Sequence, residues 1–115
     1  GRQCGGISQP SAPAVAWSGA LASAASRHSA DMAVHNFFSH AGSDGSDVSQ
    51  RASAAGYGWS SVAENIAGGP SSVAAVMSGW LSNIMGTTFR DVGLACVART
   101  GTRYTRYWTL VLARP

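Results

Sequence analysis

Lysine is missing from these 115 residues altogether, glutamate occurs once, at Glu64, and cysteine only twice. Without lysine there can be no Gly-rich phosphate loop ending in Gly-Lys, so nucleotide hydrolysis by that route is excluded. Charge is scarce as well: 11% of residues are charged, against about a quarter in ordinary globular proteins. The surface must therefore be built largely from Ser, Thr, Gly and Ala. This poverty does not signal disorder, because disordered chains pair low hydrophobicity with high net charge, and here 45% of residues are hydrophobic. No apolar run approaches the roughly 20 residues that span a bilayer. The opening GRQCGG has no signal-peptide core. A soluble chain whose export signal has already been removed is the expectation.

The charge that exists is basic, a net +3 carried by eight arginines. Arg99, Arg103 and Arg106 fall close together, but surfaces that track nucleic-acid phosphates gather more basic groups than this on one face, so no nucleic-acid partner is expected. Cys4 and Cys96 stand near opposite ends. A bridge between them would close almost the whole chain as one loop, worth about 4 to 5 kcal/mol in the chain-entropy model. Two buried free thiols are the alternative; a low-charge Ser/Ala/Gly surface, which suits an exported protein, favours the bridge.

The length suits one domain with one core. Residues 1–18, with Pro10 and Pro13, read as an irregular arm. From Gly19 the segment LASAASRHSADMAVHNFF places Leu21, Ala25, His28 and Met32 at spacings of four and three, which predicts an amphipathic helix with a narrow apolar stripe. SHAGSDGSD is a loop with His40 near its start. VSQRASAA is a short helix capped by Ser46 or Asp47 and stopped by Gly56. YGWSSVAENIAGGP reads as extended structure. Ser71 or Ser72 caps a third helix with Val73, Val76, Met77 and Trp80 as its core stripe. FRDVGLACVAR and RYTRYWTLVLA alternate around a turn at Gly101 and form an antiparallel hairpin. Helices first and strands last give an α+β domain, with helices covering a small antiparallel sheet.

Glu64 sits among Val62, Ala63, Ile66 and Ala67, so its carboxylate needs a partner. On the residues alone, loop amides are the favoured partner. His40 comes just after Phe37 and Phe38 at a helix-to-loop junction, where a packed base can hold an imidazole over a cleft. His28, on the apolar stripe, reads as a buried, hydrogen-bonded core histidine, and His35 points to water. A zinc site needs at least three protein ligands, and His40 with Glu64 supplies two. Serine is too abundant for Ser39 or Ser82 to indicate a nucleophile.

Taken in order, RHSADMAVHNFFSH, RASAAGYGWSSVAENIA, VMSGWLS with NIMGTTFRDVGLAC, and YWTLVLARP resemble the bacterial branch of the CAP superfamily. These SCP-like domains are named from cysteine-rich secretory proteins, antigen 5 and plant pathogenesis-related proteins. The resemblance covers nearly all of residues 15–113 and implies an α/β/α sandwich around a central antiparallel sheet. It also implies that His40 and Glu64 line a shared cleft, which reverses the reading of Glu64 from residues alone. The family glycine before that glutamate is Ala63 here. A short loop of the form SPGHxAN is expected between Ser82 and Asn83; without it the second cleft histidine is missing, and so is a cysteine that in relatives can pair with Cys96 or Cys4. The first family helix is missing too. Residues 1–115 are thus expected to be a single CAP domain, either shortened or with a mobile loop left out of the chain.

What the resemblance implies is a secreted binding module whose cleft takes a small hydrophobic or cell-surface ligand, a lipid, a cell-wall component or a protein. The alternative is a hydrolase of peptidase type in which Glu64 and His40 are catalytic and act on water, with Zn2+ as the one cofactor the pattern allows. A third reading makes His40 and Glu64 a buried pair that only stabilises the fold.

Overall fold

The computed structural model describes residues 2–4, 16–70, 72, 75–76 and 89–115. The arm prolines Pro10 and Pro13, the Ser82–Asn83 junction, and Val73, Met77 and Trp80 of the third predicted helix lie outside them.

Helix α1 runs Gly19–His35. It begins where Ser18 Oγ accepts the amide of Leu21 at 3.2 Å, one of the helix's orphan donors. Its buried face is Leu21, Ala24, Ala25, His28, Ser29, Met32 and Ala33. Sequence patterning carried this helix to Phe38, and the structure corrects that. Asn36 takes the left-handed conformation (φ 52°, ψ 56°) and ends the helix at His35, three residues early, so Phe37 and Phe38 belong to the loop. Helix α2, Val48–Ala54, starts with a complete capping box: Asp47 accepts the Gln50 amide and the Gln50 side chain accepts the Asp47 amide.

The sheet is made of β1 (Arg2–Gln3), β2 (Ala16–Trp17), β3 (Ser61–Gly68), β4 (Asp91–Ala98) and β5 (Arg106–Arg114). Its order is β1-β4-β5-β3, and β2 pairs in parallel with the start of β4. The predicted β4–β5 hairpin is present, but its neighbours add something periodicity did not show. Two-residue pieces of the arm pair with β4 near both of its ends, at Val97–Ala98 and at Asp91–Val92. Cys4 and Cys96 are joined by a disulfide with Cα atoms 5.3 Å apart, and the Cys4 amide donates to the Cys96 carbonyl at 3.1 Å.

β4 is buried continuously from Val92 to Val97, and β5 from Tyr107 to Ala113. A half-solvated sheet would alternate, so both faces here must be covered. One face carries Val92, Leu94, Cys96, Trp108, Leu110 and Leu112, with Val76 packed on it. The other carries Ala95, Val97, Tyr107, Val111 and Ala113 against α1 and Ala52 of α2. This is the mixed α+β architecture expected, a central sheet flanked by helical layers. The α1 layer can lie very close because Gly93 offers no side chain under Leu21 and Ala22. That approach fixes the height of α1, and with it the position of the loop that follows.

Candidate functional site

On β3, Val62 and Ile66 pack into the α1-side cores, while Ala67 packs on the opposite face. Glu64 lies between Val62 and Ile66 at the same alternation, so its carboxylate is directed into the layer between sheet and helices. Its side chain is only 2% exposed. An isolated carboxylate there would be prohibitively desolvated. Arg51, on the inward face of α2 and equally buried, meets it with Nη2 at 2.7 Å from Oε2. The loop-amide partners favoured from the residues alone are thus replaced by a buried ion pair.

The same guanidinium gathers the rest of the site. Arg51 Nη1 donates to the Ser46 carbonyl at 2.7 Å, and Nη2 also donates to the His40 carbonyl at 2.9 Å. One residue therefore ties the start of α2, the loop after α1 and strand β3. His28 holds the neighbouring peptide: its Nε2 donates to the Ser39 carbonyl at 2.7 Å. Successive carbonyls of the loop are stapled from inside by two buried side chains, and this fixes the backbone from which His40 projects.

His40 reaches back so that Nδ1 lies 2.9 Å from Glu64 Oε1, while 65% of its side chain is exposed. A carboxylate accepts, so Nδ1 carries the hydrogen, and in the neutral form of the ring Nε2 is the nitrogen left with the lone pair. Glu64 thereby has one oxygen on Arg51 and the other on His40. A carboxylate held this way can orient the imidazole, as carboxylates behind histidines do in many sites. The reading of His40 and Glu64 as a buried pair is corrected on geometry, because only the glutamate is buried.

His28 is fully buried, as its place on the stripe predicted, yet it is more than core. Its Nε2 is 3.9 Å from Glu64 Oε1, and its Nδ1 is a buried nitrogen with no hydrogen-bond partner. Burial pushes its pKa below the ordinary 6.5, with the charge of Glu64 opposing that shift and Arg51 reinforcing it. Above about pH 6.5 the ring is neutral in folded and unfolded chains alike, and its stabilising contribution is complete. Below that value the unfolded chain takes up a proton that the folded one resists, so stability falls as the pH drops. The unfolding midpoint is expected to decline from pH 7 to 5.5, and His28→Gln should flatten that part of the curve.

His35 is exposed, as expected, and pairs with Asp31 Oδ1 at 2.9 Å. Arg51 is the site residue that sequence reasoning missed. The available signal was its place with Val48, Ala52 and Ala55 on one face of a short helix, in a chain with a single glutamate needing a cation. Among the described residues, no three His, Cys, Asp or Glu side chains are grouped to hold a metal ion. With both Glu64 oxygens committed, the His40–Glu64 pair leaves His40 Nε2 as its one uncommitted ligand atom, so among the described residues this pair does not fit the zinc that the sequence pattern allowed.

A family model described as the cysteine-rich secretory protein family, CAP, matches residues 8–112. An extracellular protein containing an SCP domain from Bacillus anthracis str. Ames superposes with a TM-score of 0.74 at 28% identity, over 90% of this chain and 34% of its own. The chain thus spans about a third of that relative. An outer surface protein from Borrelia burgdorferi shares the fold, with a TM-score of 0.73 at 14% identity, over 87% of this chain and 77% of its own. No curated protein matches it. With the model match running almost end to end and the sheet arranged as described, the chain belongs to the CAP family of cysteine-rich secretory proteins.

Proposed function

We propose that this is an extracellular, non-enzymatic binding module whose cleft presents His40 Nε2 to its ligand. The observation that carries the reading is the double commitment of Glu64, with Oε2 on Arg51 and Oε1 on His40. A carboxylate so engaged orients and does not shuttle protons to water, whereas an exposed imidazole of fixed orientation is a ready acceptor for a hydroxyl, amine or amide of a ligand. The ligand class is a small hydrophobic or cell-surface molecule, or a protein. The extracellular setting follows the family and the Bacillus anthracis relative. It is also consistent with the disulfide and with the lack, among the described residues, of a helix long and apolar enough to cross a membrane. A purely structural pair would have no use for a histidine with 65% of its side chain in solvent.

The competing reading is a zinc-assisted peptidase using the same cleft. Calorimetric titration of Zn2+ into the full gene product, with His40→Ala as control and a peptide-hydrolysis assay alongside, separates the two. Binding weaker than about 1 μM and no hydrolysis are expected. Tighter binding that disappears in His40→Ala together with peptide hydrolysis would overturn the proposal.

A further inference from the structure

The chain has five carboxylate side chains, and each is engaged away from the β4–β5 turn. Asp31 accepts from Ser43 and pairs with His35; Asp44 pairs with Arg27; Asp47 caps α2; Glu64 takes Arg51 and His40. Asp91 accepts the Tyr57 hydroxyl at 2.6 Å at the start of β4, and at the usual strand rise this is about 23 Å from Ala98. Arginines, by contrast, collect at the turn. Arg99 and Arg103 are exposed, and among the described residues neither pairs with a carboxylate.

Backbone bonds hold the turn in shape: the Arg99 amide donates to the Thr105 carbonyl at 2.7 Å, and the Arg103 amide to Asn36 Oδ1 at 2.9 Å. Aromatic rings lie beside the arginines. The Arg103 guanidinium sits 5.0 Å from the Tyr104 ring centroid, and Phe38, 38% exposed, packs against the same ring at 5.0 Å. Tyr104 fits there because Gly68 of β3 has no side chain; a Cβ would come within 2.5 Å of its Cγ.

We infer that this turn is a second binding surface, for an anionic polysaccharide whose acidic groups pair with Arg99 and Arg103 while a sugar ring lies on Phe38. Guanidinium forks suit carboxylate, sulfate or phosphate groups, and the aromatic ring suits the apolar face of a pyranose. Single-stranded nucleic acid fits less well: stacking platforms offer a row of open aromatic faces, and here Tyr104 is covered by Arg103 and Phe38. A membrane surface fits less well again, since one half-exposed ring makes no apolar face to insert. The surface uses neither His40 nor Glu64 and stands even if that cleft takes no ligand.

The test is binding of alginate, with neutral dextran, polyuridylate and phosphatidylglycerol vesicles as comparisons, at low and physiological salt. Alginate should bind and dextran should not, and binding should weaken as salt rises. Arg99→Ser with Arg103→Ser should lower the affinity at least about tenfold, the single changes each carrying part of the loss. Phe38→Ala should lower it about threefold, the effect of a modest ring contact. The remote Arg27→Ser should leave it unchanged. Undiminished binding in both arginine single variants would overturn the inference. So would tighter binding of polyuridylate or vesicles than of alginate, which would assign the turn to that other partner.

Discussion

Replacing Arg51 by methionine is expected to destabilise the domain by about 3 to 5 kcal/mol. For a chain of this size that lowers the unfolding midpoint by about 10 to 20 °C. The reason is what remains behind. Glu64 is 2% exposed, and without the guanidinium its Oε2 would be a charge with neither water nor cation. The same change releases the Ser46 and His40 carbonyls, so the His40 loop should loosen before the core melts. The double variant Arg51→Met with Glu64→Leu should regain much of the lost stability, because two well-packed apolar groups avoid the desolvation cost that the ion pair bears. Denaturant unfolding of the wild type and the two variants checks both claims. Equal stability of wild type and Arg51→Met would show that the pair is not buried as described.

Gly93→Val is expected to leave no stably folded protein. Gly93 lies on the α1 face of β4, between the backbone of the strand and the first turn of α1, and even a Cβ would overlap the backbone of Leu21 and Ala22. Backbone cannot rotate aside as a flexible side-chain tip can. The helix would have to lift from Ala95, Val111 and Ala113, opening the core formed with Leu21 and Ala25. Against a total stability of about 5 to 15 kcal/mol, loss of that layer contact is enough to unfold the domain or force its rearrangement. Gly58→Ala is the matched control, since nothing lies within 4 Å of the added Cβ there. Its midpoint should stay within a few degrees of wild type. A cooperatively folded Gly93→Val protein would mean that α1 sits higher on the sheet than described.

The parts of the fold legible in the sequence were those whose pattern matched their surroundings. The three-and-four spacing from Leu21 to Met32 foretold α1, Asp47 was read as a possible cap of α2, and the β-branched runs foretold β4 and β5. The end of α1 was not legible, because Phe37 and Phe38 continue an apolar run that the left-handed Asn36 interrupts by conformation alone. β1 and β2 were missed since two residues contain no period; their pairing depends on β4 having a free edge, which is a tertiary fact. At the site, His40 and Glu64 stood out from the residues and their sharing of one cleft came from the family resemblance, whereas Arg51 was hidden by the ordinary expectation that arginine faces water. His28 was placed in the core for the right reason, its position on the stripe. Its grip on the Ser39 carbonyl depends on where the loop folds back, and no spacing in the chain encodes that.

The central claim is that Glu64, held by Arg51, orients His40 so that Nε2 faces outward. Long-range proton–nitrogen correlation spectra of the imidazoles at neutral pH test this directly. The account predicts His40 as the tautomer protonated on Nδ1, shifting to the commoner Nε2-protonated form in Glu64→Gln, with His28 protonated on Nε2 in both. An Nε2-protonated His40 in the wild type would contradict it.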